Sequence, residues 1–201
     1  MGQKLTFQGT KLIKGHLDRA AQLAMVSALR QVAAQAPMFH PETRFGKQMS
    51  VKMTSAGMYG WVSDRRGYRY AAQHPDGGTW PAIPDSILAI WHDLTGLVRA
   101  PDCCLVNHYR EGARMGLHQD RDEASFDWPV LSISLGDEGL FRVGGLDRSS
   151  PTKSVWLQSG DVVIMDGEAR LAFHGIDRIR FKSSDLLPAG GRLNVTLRVV
   201  T

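Results

Sequence analysis

The run RLNVTLR at residues 192–198 alternates polar and apolar residues without a break. Successive side chains on a strand point to opposite faces, so Arg192, Asn194, Thr196 and Arg198 share one face. That face is either the wet side of an edge strand or a wall of a closed β structure. Inside such a structure two guanidiniums require anionic partners. Upstream of this run lie further short β-rich stretches: CLVNHY (104–109), VLSISL (130–135), LFRV (140–143), SVWLQ (154–158) and DVVIM (161–165). Turn signals at Gly136-Asp137, Gly144-Gly145 and Ser159-Gly160-Asp161 separate them. Strands at this spacing with no helices between them predict an antiparallel sandwich, jelly roll or barrel.

The first half has a different texture. Residues 17–35 (LDRAAQLAMVSALRQVAAQ) place apolar residues at helical intervals and predict a helix. A second helix is expected over 85–99, with Pro84 and Asp85 as start signals and Pro101 beyond its end. Between them, 39–84 reads as irregular apart from MYGWVSDRRGYRY (58–70), a hairpin turning at Asp64-Arg65-Arg66-Gly67. The expectation is a single α+β domain over 1–201, with N-terminal helices and a hairpin in 1–101 and a β core from 102 to 201.

Composition narrows the function classes. The 201 residues are 43% hydrophobic and 22% charged, enough for a substantial core, with no apolar run near the roughly 20 residues a membrane helix needs. The N-terminus lacks the apolar block of a signal peptide. Two cysteines, Cys103 and Cys104, are adjacent and poorly placed to bridge, and a pair alone makes no zinc site. A reduced, cytoplasmic protein with both packed in a strand is the expectation. The sequon at Asn194-Val195-Thr196 carries no weight without secretion. The formal net charge of +4 fits an anionic partner or a merely basic protein equally well.

Seven histidines hold the best chemical candidates. His118-Gln119-Asp120 is an H-x-D, whose side chains share a face if the segment is extended. A second H-x-D, His16-Leu17-Asp18, precedes the first helix, where Asp18 is better read as its cap. His118 and Asp120 lie within the β portion, and His174 follows DVVIM. Together they form either a two-histidine, one-carboxylate facial triad of the non-haem Fe(II) kind, or two unrelated histidines and a turn acid. Asn107 and Tyr109 alternate with His108 in CLVNHY, and Arg192 and Arg198 flank Asn194. Polar groups converging from two strands suit a small dicarboxylate held by arginine. Trp61, Tyr68 and Tyr70, with Arg65, Arg66 and Arg69 interleaved, either pack the hairpin onto the core or stack a base and hold its phosphates. Asp122 is in phase with Asp120 if the strand continues, and is otherwise a solvated acid beside Arg121.

The blocks VNHY, GLHQDRDE, SISLG, FRVGGLDR, GDVVIMDGEARLAFHGI and RLNVTLR, in that order, closely resemble the bacterial AlkB proteins, Fe(II)/2-oxoglutarate-dependent dioxygenases that remove N-alkyl lesions from nucleic acid bases. The resemblance starts near residue 50. It implies a double-stranded β-helix (jelly-roll) core under a substrate-lid hairpin, with His118, Asp120 and His174 as iron ligands. Asn107, Tyr109, Arg192, Asn194 and Arg198 would surround 2-oxoglutarate, Arg192 at the distal carboxylate and Arg198 near the end that chelates iron. Trp61 and Tyr68 match lid aromatics, Asp122 an acid facing the base, and Arg148 a residue bordering the substrate. Fe(II), 2-oxoglutarate and O2 are the implied cofactors. Single-stranded or flipped-base DNA, with RNA left open, is the implied partner, and a monomer the default state. Two departures stand out: Met165 where relatives commonly have Trp, and Asp166 where Gly is common. Leu193 and Leu197 likewise replace aromatics. An oxygenase acting on protein or a small molecule, and a non-catalytic nucleic-acid-binding β domain, are the competing readings.

Overall fold

The computed structural model describes residues 2–201. Strands β1 (Gln3–Phe7) and β2 (Thr10–Lys14) form a hairpin ahead of helix α1 (Arg19–Gln35). Strand β3 (Lys52–Gly57) leads into a second hairpin, β4 (Gly60–Asp64) and β5 (Gly67–Ala71), and then into helix α2 (Asp85–Thr95). The rest is strand: β6 (Cys103–Tyr109), β7 (Met115–His118), β8 (Val130–Gly136), β9 (Glu138–Val143), β10 (Lys153–Leu157), β11 (Val162–Met165), β12 (His174–Arg180) and β13 (Arg192–Arg198).

Two sheets carry the fold. The larger has seven strands in the order β1-β2-β11-β8-β13-β6-β3, and the smaller four in the order β10-β9-β12-β7. All the pairings are antiparallel, giving the jelly-roll architecture, with the β4–β5 hairpin as a separate lid. Strand β13 lies between β6 and β8, so it is central rather than an edge. Its alternation divides the interior. Leu193, Val195 and Leu197 join Met25, Leu29, Ile87 and Trp91 of the two helices in one apolar cluster. The opposite face looks toward the smaller sheet, where Leu105, Val130, Phe141, Val163 and Ile176 form a second cluster. Helices thus seal one face of the large sheet, leaving the space between sheets for a polar cleft.

Asp18 caps α1, accepting a hydrogen bond from the Ala21 N–H at 2.8 Å, as its sequence context predicts. Helix α2 ends at Thr95, four residues short of the expected 99. Gly96 takes a left-handed φ of 69° and its N–H bonds the His92 carbonyl at 2.9 Å, closing the helix. The N-terminal half is also less helical than expected. The polar first residues form β1–β2, and β3 lies within the stretch read as irregular. Strand β2 pairs with β11 and β3 with β6, so the large sheet draws strands from both sides of residue 102. Cys103 and Cys104 are free, buried and on β6, one in each apolar cluster.

Candidate active site

Strands β7 and β12 pair with His118 directly opposite His174. Their rings lie 4.5 Å apart between centroids. Asp120 reaches the same point from just past the end of β7, its Oδ1 3.6 Å from His118 Nε2 and its Oδ2 3.6 Å from His174 Nε2. One ligand atom from each of the three residues falls within 4.8 Å of the others. Each histidine sets its Nδ1 against a carbonyl, His118 against Gly116 at 2.9 Å and His174 against Ala172 at 3.0 Å. A proton on Nδ1 donated to that carbonyl leaves the Nε2 lone pair aimed at the shared point. Burial lowers the His174 pKa to about 4, keeping the ring neutral. Burial would raise the Asp120 pKa, but Arg198, with Nη2 2.8 Å from Oδ2, outweighs it and holds the carboxyl below its usual range. Two imidazoles and a carboxylate match the donor set of an Fe(II) facial triad.

Beside this point lies a cleft of about 550 Å³ between the sheets. Register places Arg192 opposite Tyr109 and Gly136, Asn194 opposite Asn107 and Ser134, and Thr196 opposite Leu105 and Ser132. Arg192 is 1% exposed. Its Nη2 donates to Ser134 Oγ at 3.0 Å, while Nε and Nη1 have no partner, as does Asn107 Oδ1. A buried guanidinium with two idle donors is the binding half of a carboxylate site. Burial pushes the Tyr109 phenol up to about 12, so it stays protonated beside Arg192. Gly139 makes room here, because a Cβ on it would stand 2.8 Å from Arg192 Nε. Asn194 is held by bonds from Nδ2 to Ser132 Oγ and the Ile133 carbonyl. The residues present fit a dicarboxylate that spans from Arg192 to the triad.

The lid closes over the mouth of this cleft. Trp61 and Tyr68 stack with centroids 5.4 Å apart and planes 25° apart, and both line the cleft. Trp61 Nε1 donates to Asp122 Oδ2 at 3.0 Å. Strand β7 stops at His118, so Asp122 is not in phase with the triad by strand geometry; its loop brings it beneath the indole instead. Arg148, also lining the cleft, donates from both Nη atoms to the Leu117 carbonyl at 2.9 Å and lies over the Phe173 ring. Of the hairpin arginines, Arg66 and Arg69 are engaged with Asp64, whose carboxyl they hold below its usual range. Arg65 alone among the three has no ion pair among the described residues.

Each residue to which the resemblance gives a site role therefore lines this one cleft, and four others support it, among them Tyr70, also a candidate from the sequence. Tyr70 donates to Glu123 Oε1 at 2.9 Å and accepts from Arg198 Nη1 at 3.2 Å. Arg170, 3% exposed, donates to the carbonyls of Asp120 and Trp128 and lies 3.4 Å from Glu123 Oε2. These contacts pin the 119–128 loop that carries Asp120, and tie it to the lid. Ser134, partner of Arg192, was within reach of sequence reasoning, since the alternation of SIS puts Ser132 and Ser134 on one face. Glu123 and Arg170 carried no local signal. Met165 lines the cleft at 2% exposure, and Asp166 pairs with Lys11 of β2.

The family model for the 2OG-Fe(II) oxygenase superfamily matches residues 9–198. The alpha-ketoglutarate-dependent dioxygenase AlkB homolog of Caulobacter vibrioides is 56% identical over 92% of this chain and 84% of its own length. The DNA N(6)-methyladenine demethylase ALKBH1C of Arabidopsis thaliana is 30% identical over 94% of this chain and 48% of its own. The solved structure of OsALKBH1 superposes with a TM-score of 0.82 at 30% identity, covering 96% of this chain and 99% of that one. A matched family model over nearly the whole chain, a close bacterial relative and a shared fold agree with the His-Asp-His group and the dicarboxylate cleft: the chain belongs to the 2OG-Fe(II) oxygenase superfamily and is an AlkB-type, Fe(II)- and 2-oxoglutarate-dependent dioxygenase.

Proposed function

We propose that the enzyme oxidatively demethylates N-alkylated bases, such as 1-methyladenine and 3-methylcytosine, in DNA, as a repair activity. The observation that carries this reading is the Trp61–Tyr68 stack, which lines the same cleft as the triad. A flat aromatic wall there suits a base rather than a flexible side chain. The reading is further supported by the relative named for DNA demethylation.

His118, Asp120 and His174 would hold the iron, and Arg192 would hold the distal carboxylate of 2-oxoglutarate, with Tyr109, Asn107 and Asn194 around it. Bound together, Fe(II), 2-oxoglutarate and O2 supply the oxidation that hydroxylates an N-methyl carbon, giving succinate, carbon dioxide and, after loss of formaldehyde, the unmodified base. Arg198 keeps Asp120 ionised for the metal. Ser134 aims Arg192 along the cleft. Asp122, fixed by the indole N–H, offers its other oxygen to an exocyclic amine and favours a cationic methylated base. A methyl group on a Watson–Crick nitrogen is hidden in a duplex, so the base must be unpaired or flipped, and a lesion that blocks pairing lowers that cost.

Among the described residues no helix is long and apolar enough to cross a membrane; a cytoplasmic monomer, folded as one domain over 1–201, completes the proposal. The test is formaldehyde release from a 1-methyladenine single-stranded oligonucleotide against a methylated peptide. Release from the oligonucleotide that requires both Fe(II) and 2-oxoglutarate is expected. Turnover of the peptide alone would assign the lid to a different substrate.

A further inference from the structure

Phe45 is 83% exposed, the most exposed aromatic ring among the described residues. It does not sit on a loose segment. Glu42 and Gln48 bridge across a tight loop, the Thr43 N–H bonds the Lys47 carbonyl at 2.9 Å and the Gly46 N–H the Thr43 carbonyl at 2.8 Å. The loop is also fastened to the lid: the Glu42 N–H donates to the Ser63 carbonyl at 3.1 Å, and the Ser63 hydroxyl donates to the Glu42 carbonyl. Its base is held by the Met49 N–H to the Pro41 carbonyl at 2.9 Å, and Met49 itself lines the cleft. Phe45 lies four positions before Met49, so its backbone stands at most about 13 Å along the chain from that of a cleft residue.

Three cations share this part of the surface. Arg44 lies over one face at 4.8 Å, leaving the other face open. Exposed Lys47 follows on the same loop, and the Arg65 guanidinium packs within 4 Å of where a side chain on Gly46 would begin. None of Arg44, Lys47 and Arg65 has an ion pair among the described residues, whereas Arg66 and Arg69 next door are occupied by Asp64. A displayed aromatic face backed by a guanidinium, with further unpaired cations on the same loop and the adjoining hairpin, is the arrangement that stacks an unpaired base and neutralises its phosphates.

We propose that Phe45, with Arg44, Lys47 and Arg65, forms a second nucleic-acid contact that stacks an unpaired base flanking the nucleotide in the cleft. The inference rests on the nucleic-acid reading above and deepens it, by giving the lid a neighbour that grips the strand outside the reaction site. The measurement is fluorescence anisotropy of a labelled, unmethylated single-stranded DNA of roughly a dozen nucleotides, within the 4–16 typical of such sites. The Phe45→Ala enzyme should bind it roughly 5- to 150-fold more weakly, in keeping with the removal of one base stack. Its melting temperature should match the wild type, because an 83% exposed ring contributes little packing. Phe45→Tyr should restore binding and Phe45→Leu should not. The slope of log affinity against log salt should stay unchanged in Phe45→Ala. In the Arg44→Ala, Arg65→Ala double variant it should shrink by about 0.7 for each phosphate no longer neutralised. Unchanged affinity in Phe45→Ala, or full rescue by Phe45→Leu, overturns the stacking role. A wild-type enzyme that releases formaldehyde from methylated oligonucleotides while Phe45→Ala binds normally would sink this contact and leave the demethylase reading standing. A wild type with neither binding nor release would sink both.

Discussion

The chemistry of the cleft depends on a few side chains whose environments leave them one task each. Arg192 is buried with one donor satisfied and two idle, so its worth appears only when a carboxylate arrives. Replacing it with Met removes the charge partner at similar length. The KM for 2-oxoglutarate should rise at least about 30-fold, the lower end of what truncating one partner of a buried charge pair costs. Succinate release measured against 2-oxoglutarate concentration checks this, and an unchanged KM would move the carboxylate site elsewhere. Arg170 acts at one remove, by bonding the carbonyl of Asp120 rather than a ligand atom. Arg170→Ala should therefore weaken metal affinity roughly 10- to 100-fold, as removal of such outer partners does, in a titration with a spectroscopically visible divalent ion such as Co(II). The ligands were legible through the family resemblance of the blocks around them, since an H-x-D and a later His by themselves also fit two unrelated histidines and a turn acid. Arg170 and Glu123 were not, since their roles depend on a pairing of residues far apart along the chain that no local pattern encodes.

At the scale of elements, alternation did most of the work. Strand β13 reads as polar on one face and apolar on the other, and both readings hold: one face meets the helices and the other lines the cleft. What the pattern left open was whether the polar face is wet, and the pairing of β13 on both sides closes that question. Strand β6 repeats the logic with its two cysteines. Burial pushes the Cys103 thiol up to about 12 and raises Cys104 as well, so neither forms the reactive thiolate at neutral pH. Native enzyme at about pH 8 should leave both thiols unreacted with a chromogenic disulfide reagent, and both should react on unfolding in guanidinium. Rapid modification of either in the native state would contradict the central placement of β6. Strands β1, β2, β3, β7 and β12 were missed because four- to seven-residue strands with weak alternation resemble loops. Their evidence is the partner, β11 for β2 and β6 for β3, not the segment. The overlong second helix has a local cause, since Gly96 was a stop signal that the apolar Leu97 and Val98 beyond it obscured.

For the whole molecule, the two sheets and the lid divide the labour. The sheets hold a cleft lined by buried charges, and the hairpin is tied to the loop that carries Asp120 through bonds from Trp61 to Asp122 and Tyr70 to Glu123. Strand spacing narrowed the fold to an antiparallel sandwich, jelly roll or barrel, and the family resemblance singled out the jelly roll. The lid's placement was not legible, because nothing in MYGWVSDRRGYRY says which cleft it covers. The formal charge of +4 is likewise a poor guide by itself, since Arg170, Arg192 and Arg198 are buried and out of reach of a nucleic acid. The most direct check on the central claim is the yield of formaldehyde and succinate from a single-stranded oligonucleotide carrying one 1-methyladenine, in wild type and in His118→Ala. The account predicts equal amounts of both products from the wild type, dependent on Fe(II) and 2-oxoglutarate. In His118→Ala it predicts neither product, with oligonucleotide binding retained. Formaldehyde released by His118→Ala, or none released by the wild type, would contradict it.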